Sequence, residues 1–530
     1  MTAPTMTPYR PGPAAGHDSF AHLLRAEWTK FRTVRGWVIA VIVATLVTIL
    51  LGVYGGARSQ DGCVGGPCHP FIAVGPAGEA VTDAFYFVHR PLTADGSITV
   101  RVTALTGVIE TAETPQGPAR TRPGLEPWSK AGLIITAGPS QGSGYAAVMV
   151  TGRHGTRMQW NYTGDTPGPG KGAGEAGGVS AGSPRWLRLT RAGDVVTSYD
   201  SADGIRWTEI GTVSLPGLAS TVQAGLFVTS PQYVQQVSQQ ISGGTQSGDP
   251  TDATAAFARV TLQGRWPAST WTGTAVSGGR NSQYPTGSEA GYRQADGTFT
   301  VTGSGDIAPG AVGGTPVNQE LAGLFIGLIA VVVAGALFIT AEYRRGMIRL
   351  TLAASPRRGR VLAAKALILG GITFAAGLIG AAGAVWAGNR LLVRNGSAID
   401  PATALTEIRV IAGTAVLVAV CAVFALGVGA ILRHGAGTVT VVITAIILPY
   451  LLAAAFPVLP AGAADWLLRV TPAAGFAIQQ AVPQYPQVAG SYAPFNGYFP
   501  LAPWAGLAVL CAYAAVALAL ATFLLRRRDA

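Results

Sequence analysis

The chain has 530 residues, enough for more than one domain, and only 12% of them are charged. A mean hydropathy of +0.36 is too apolar for an ordinary soluble protein. The net charge of +11 raises the question of nucleic acid, but the basic residues crowd beside apolar runs and no nucleic-acid motif accompanies them, so membrane topology accounts for the charge.

In chain order, residues 1–17 are rich in Pro, Gly, Ala and Thr and read as disordered. Residues 18–35 read as an amphipathic helix lying in a membrane interface. Phe20, Leu23, Leu24, Trp28, Phe31 and Val34 recur at helical spacing, Arg25, Lys30 and Arg32 flank them, and Asp18 or Ser19 suits the N-cap. Phe20, Leu24, Trp28 and Phe31 are the candidate interfacial anchors. Residues 36–55 are the first candidate span, near the roughly 20 residues a bilayer requires. A cleaved signal segment is the alternative, and the further spans downstream favour an uncleaved one.

From residue 56 to 317 the pattern changes. Short β-type runs, such as Ser97–Leu105, Ala131–Gly138, Tyr145–Gly152, Arg185–Gly193 and Val222–Ser230, alternate with turn residues, including Asp95-Gly96 and Asp203-Gly204. Many short strands at regular spacing predict an antiparallel sandwich. Residues 163–183 read as a Gly- and Pro-rich surface loop, and Lys171 lacks the Ser/Thr partner of a phosphate loop. Cys63 and Cys68 follow the first span, on the side where a disulfide persists; a disulfide and free thiols both remain open, and with His69 they fall short of a closed metal site. Cys421 and Cys511 sit in apolar runs and read as inert packing residues. Asp83, Asp95, Glu126, Asp200, Asp203 and Glu209 do not form the facing carboxylate pair of a glycosidase, and His89 and His154 stand apart, so no catalysis and no resident cofactor or metal are expected.

Apolar character returns with a second span at 318–341. The segment 342–365 that follows holds seven basic residues (Arg344, Arg345, Arg349, Arg357, Arg358, Arg360, Lys365) against Glu342 alone. Lys and Arg resist translocation, which predicts a cytoplasmic position. Met347, Ile348, Leu350 and Leu352 interleave with charge before Ser355-Pro356, the pattern of a short surface helix and a re-entry. Further spans are expected at 366–387, 410–432, 439–456 and 503–525, with an outer loop or re-entrant segment at 457–502 and a basic tail at 526–530. Gly370, Gly371, Gly377, Gly380 and Gly383 suit close helix approach, and Pro449 marks a kink. Six spans place both termini in the cytoplasm and the β-region outside.

Several stretches together resemble bacterial ABC-2 type transporter permeases. They are RAEWTKFRTVRGW before the first span, EYRRGMIRLTLAASPRRGRVLAAKAL after the second, LGVGAILRHGAGTVTVV between the fourth and fifth, LLRVTPAAGFAIQQ in the outer segment, and the terminal PWAGLAVLCAYAAVALALATFLLRRRDA. The resemblance covers residues 19–55 and 318–530 and implies a plasma-membrane permease of an exporter. It also implies a separate cytoplasmic subunit that binds ATP and Mg, and a second permease copy. On this likeness Glu342, Arg344, Arg345, Arg349, Arg357, Arg358 and Arg360 become the expected contact with that ATPase, and residues 19–35 the connecting helix. Residues 83–230 resemble the concanavalin A-like, laminin-G-like (jelly-roll) sandwich of extracellular bacterial proteins, with Trp186, Tyr199 and Trp207 in or near its core. Phe299–Pro309 either completes that sandwich or is a remnant. The likeness implies glycan or peptide binding, or a structural cap. The expected fold is thus a six-span α-helical membrane protein with an inserted all-β extracytoplasmic domain; a membrane-anchored lectin-like sensor that transports nothing is the alternative function.

Overall fold

Ser19 accepts a 3.3 Å hydrogen bond from the Ala21 N–H, which starts helix α1 (Phe20–Thr33). The computed structural model describes residues 19–58, 72–111, 120–233, 249–276, 290–310, 314–348, 351, 357–454, 459, 461–488, 494 and 497–528. Cys63, Cys68, Arg349 and residues 1–17 therefore lie outside the described residues. Val34 turns the chain in extended conformation into α2 (Arg35–Arg58), the first of six helices among the described residues that are long and apolar enough to cross a membrane.

The other five are α3 (Leu324–Arg344), α4 (Arg358–Arg394), α5 (Ala404–Leu432), α6 (Gly435–Ala454) and, after the short α7 (Ala461–Val470), α8 (Pro503–Arg528). Their apolar faces share one core that includes Phe31, Trp37, Leu328, Phe338, Leu369, Leu426 and Leu510. Helix α4 has 37 residues, about 55 Å at 1.5 Å per residue, and so outreaches a hydrocarbon layer of roughly 30 Å. It begins at Arg358, inside the basic segment. The expected outer segment contains α7 and a 3-10 turn, Pro472–Gln479, all of whose residues are buried among the helices. Phe476 of that turn lies 5.1 Å from Phe325 and 4.7 Å from Tyr450, ring centre to ring centre.

Between α2 and α3 stands the β-domain. One large antiparallel sheet runs β12 (Thr208–Ser214), β11 (Val195–Ser201), β10 (Arg185–Ala192), β4 (Gly96–Thr111), β14 (Thr251–Gly264), β17 (Thr298–Gly303) and β16 (Gly291–Ala295), with β5 (Arg120–Pro123) also on β4. The other runs β15 (Thr272–Val276), β3 (Phe85–Thr93), β13 (Thr221–Thr229), β6 (Lys130–Thr136), β7 (Tyr145–Thr151), β8 (Thr156–Trp160) and β9 (Gly164–Pro167). Val100, Leu133, Val148, Leu187, Leu226 and Phe257 fill the space between the two, which makes a sandwich. Strands β6 and β7 are buried at every position, because a second apolar layer (Phe87, Ile134, Tyr145, Met149, Phe227) lies on their far face. A small sheet of β1 (Ala73–Val74), β2 (Ala80–Asp83) and β18 (Ile307–Pro309) contributes Ala73, Val81 and Ile307 to that layer. Phe299–Pro309 therefore completes the domain: it supplies β17 and β18.

Three details differ from the sequence reading. The stretch 163–183 contains the edge strand β9, held by the Arg157–Asp165 ion pair. Trp186, Tyr199 and Trp207 are half-buried, and the inward positions of β10 belong to Leu187 and Leu189. Trp207 lies under the Arg188 guanidinium, 3.9 Å from it. Strand β14, paired with β4 from Thr251 opposite Ile109 to Gly264 opposite Gly96, was not among the expected strands.

Candidate functional site

Where α1, the end of α3 and the start of α4 meet, four charged side chains form a closed set. The Lys365 ammonium donates to Glu27 Oε2 and to Glu342 Oε1, each at 2.7 Å. Lys30 donates to Glu27 Oε1 at 2.9 Å and to Glu342 Oε1 at 3.1 Å. Two carboxylates thus balance two ammonium groups. Glu27, Glu342 and Lys365 are buried, while Lys30 keeps partial access to solvent. Burial works against the charge on Lys30, but Glu27 and then Glu342 outweigh it and hold its pKa above the ordinary lysine value.

An aromatic wall closes one side of this set. Lys365 Nζ sits 4.9 Å from the centre of the Phe338 ring. Phe338 meets Trp37 edge-on at 4.9 Å and Phe31 at 5.9 Å. Helix α1 is therefore joined to the bundle by packing and by charge together. Among the described residues, Glu342 Oε2 has no hydrogen-bond partner, which leaves one open acceptor beside the set.

The expected site residues fall into distinct places. Glu342 is an internal member of the ionic set, not a surface group. Arg344 and Arg345 are exposed at the end of α3, and Arg357 and Arg360 are exposed at the start of α4. Arg358 is half-buried and donates to the carbonyls of Leu525 and Arg526, capping the last turn of α8. Of the interfacial residues, Phe31 is buried, Phe20 and Leu24 are half-buried, and Trp28 is 48% exposed. Glu27 and Lys365 escaped sequence reasoning as a pair. Glu27 lies at i−4 from Phe31, in phase with the apolar face, and an acid in that phase was the available signal.

At the opposite end of the helices the β-domain touches the membrane domain. The buried Gln487 side chain donates to the carbonyls of Tyr162 (3.3 Å) and Thr163 (3.1 Å) in the β8–β9 hairpin. Asn161 and Tyr162 both hold positive φ, 42° and 61°, so the hairpin keeps a strained shape that presents these carbonyls. Thr315 forms a parallel bridge with Ile399, and Asn395 donates to the Gly56 carbonyl at 2.9 Å. Four acids of the β-domain have structural partners. Asp200 pairs with Arg185, Asp95 accepts from the Gly193 N–H, and Asp203 organises its own turn by accepting from Ile205 and Arg206 N–H groups. Asp83 accepts from the Tyr162 hydroxyl at 2.8 Å and the Gly142 N–H at 2.9 Å.

No curated protein sequence matches the chain. Two solved structures are similar in part. One, a functionally unknown protein from Saccharomyces cerevisiae, aligns at 12% identity with a TM-score of 0.21, covering 39% of this chain and 92% of that one. The other, scytalido-glutamic peptidase with a transition state analog inhibitor, aligns at 9% identity with a TM-score of 0.24, covering 41% and 98%. A family model described as "ABC-2 family transporter protein" matches residues 213–530, more than half of the chain.

Proposed function

The chain belongs to the ABC-2 transporter family, and from that premise we propose that it is the membrane-spanning permease subunit of an ATP-driven exporter. The family match, on a chain with six candidate spans, carries the proposal. In this reading a separate ATP-binding subunit supplies ATP and Mg, a second permease copy completes the pathway, and the basic end of the bundle is cytoplasmic with the β-domain outside. The excess of Arg and Lys at that end supports the orientation.

The partner docks on the basic segment in this reading, with the exposed Arg344 and Arg345 as its first contacts, and Arg349 beside them in sequence. The ionic set then acts as a clamp. Glu27 lies on α1, Glu342 ends α3, and Lys365 lies two turns into α4, so a push on α1 or on the segment moves both spans as one lever. The β-domain, tied to the far end through Gln487 and the Thr315–Ile399 bridge, caps the opposite mouth. A concanavalin A-like glycan- or peptide-binding role for that domain rests on likeness of strand pattern alone.

The test is charge reversal at Arg344 and Arg345, followed by purification from native membranes. Loss of the ATP-binding subunit with normal membrane insertion supports the assignment. Retention of that subunit at full stoichiometry contradicts it.

A further inference from the structure

At the end of the membrane domain distal to the β-domain, a cavity of about 590 Å³ opens between the start of α4 and the end of α8. Among the described residues it is lined by Arg357, Arg358, Gly359, Arg360 and Arg526, none of them acidic. That volume falls within the roughly 300–1,000 Å³ usual for small-molecule sites. Among the described residues, Arg357, Arg360 and Arg526 have no carboxylate partner. We infer that this cavity is a binding site for a phosphate-bearing anion, supplied by the headgroup of an anionic phospholipid.

Four observations carry the inference. Arg357, Arg360 and Arg526 line one cavity without a described acid beside them, and the planar fork of arginine matches phosphate oxygens. Helix α4 begins at the cavity, and its N-cap residue Arg357 makes no side-chain cap bond, so the first-turn N–H groups add positive potential. Arg358 is spent on the α8 carbonyls, and this contact holds the two helix ends together as the walls of the site. An added Cβ at Gly359 would lie 3.5 Å from Thr522 Cγ2, which measures how closely those walls approach.

The source of the phosphate follows from the two helices that carry the arginines. The same two helices expose Leu367 and Phe374 on α4, and Val516, Leu520 and Phe523 on α8, within a few turns of the arginines. Acyl chains on this apolar flank place a headgroup at the depth of the cavity. Basic pockets between membrane helices are the usual seats of anionic headgroups. A free phosphate has the same charge chemistry but gains nothing from the flank.

The experiment uses the full-length protein in neutral detergent and measures the affinity of phosphatidylglycerol, with phosphatidylcholine and inorganic phosphate as comparison probes. The variant is Arg357→Gln/Arg360→Gln/Arg526→Gln, which leaves the Arg358 cap in place. The control, Arg25→Gln/Arg344→Gln/Arg345→Gln, removes equal charge elsewhere. Phosphatidylglycerol is expected to bind at least about tenfold more tightly than phosphatidylcholine, and the cavity variant to weaken it at least about tenfold while the control changes it about threefold or less. Should the triple variant not fold, Arg360→Gln is expected to weaken binding about threefold while the matched single control Arg25→Gln leaves it unchanged, and equal losses overturn the site. Inorganic phosphate that competes as well as the lipid keeps the phosphate site and moves its source to the free anion. Equal losses in variant and control, or no preference for phosphatidylglycerol, overturn the site. So does a cavity variant that binds lipid normally but no longer retains the ATP-binding subunit, because the arginines then serve a protein contact.

Discussion

Lys365, two turns into α4, lies 2.7 Å from Glu27 of α1, which precedes it by 338 residues. A buried ammonium held by two carboxylates is costly to desolvate and more costly to break, since removing one partner leaves charge without compensation. Lys365→Met leaves Glu27 and Glu342 facing each other with Lys30 as the remaining cation. Its expected cost is about 3–5 kcal/mol, read as lower thermal stability in detergent. Adding Glu27→Gln restores one cation to one anion, and the double variant should be more stable than the single. Simple additivity of the two losses would contradict coupling within the set.

Helix contacts give a sharper test of packing. A Cβ added at Gly388 would lie 2.8 Å from Glu320 Cδ, and one at Gly52 would lie 2.7 Å from the Glu320 carbonyl. Gly371, on the same helix α4, has open space around it. Gly52→Ala should therefore destabilise the bundle by about 1–3 kcal/mol, because its Cβ would also lie 2.9 Å from Ala384 Cβ of α4. Gly371→Ala should be neutral or stabilising by up to about 1 kcal/mol, because Ala is the better helix former. Equal thermal shifts for the two would contradict the close α2–α4 approach.

The sequence reading of the fold rested on signals that are local. Length and hydropathy revealed all six candidate spans, and period-two runs revealed β4, β6, β7, β10 and β13. Strand β14 was missed: its inward positions are largely small (Ala253, Ala255), so the run gives a weak alternation. The glycines expected to matter, 370 to 383, were chosen by composition; which glycine meets a neighbour depends on helix rotation, and Gly52 and Gly388 hold the tighter contacts. Charge counting marked the basic segment, but it treated Glu342 as one of the surface charges. Pairing Glu27 with Lys365 is a property of three helix ends meeting, and no local pattern encodes it.

The junction between the domains rests on few groups, so it is open to a local test. Gln487→Ala removes two donors to Tyr162 and Thr163 and leaves their carbonyls without this partner. The expected loss is about 1–3 kcal/mol, confined to the junction. Hydrogen exchange should rise in the β8–β9 hairpin amides while the protection of α3 and α5 is unchanged. Unchanged exchange in the hairpin would show that Gln487 does not hold it.

Asp83 supplies a pH dependence of defined sign. Burial pushes its carboxyl from 3.8 up to about 6, against the opposing pull of the Tyr162 hydroxyl and the Gly142 N–H. The folded chain therefore favours the protonated form. This contribution is complete below the ordinary carboxylate value and is lost as pH rises through about 6, to the extent of about 3 kcal/mol. Asp400, also pushed up to about 6 by burial, adds a slope of the same sign. The difference between wild type and Asp83→Asn isolates the first group. Thermal scans of the full chain from pH 4 to 8 should show Asp83→Asn gaining relative stability as pH rises, at a rate bounded by one proton. A difference that does not change with pH would contradict the protonated, buried carboxyl.

The most direct test of the permease assignment is the composition of the complex purified from native membranes in mild detergent, determined by mass spectrometry. The account predicts an ATP-binding subunit at stoichiometric yield, lost on charge reversal of Arg344 and Arg345. A complex that contains a signalling protein or a wall glycan and no ATP-binding subunit would contradict it.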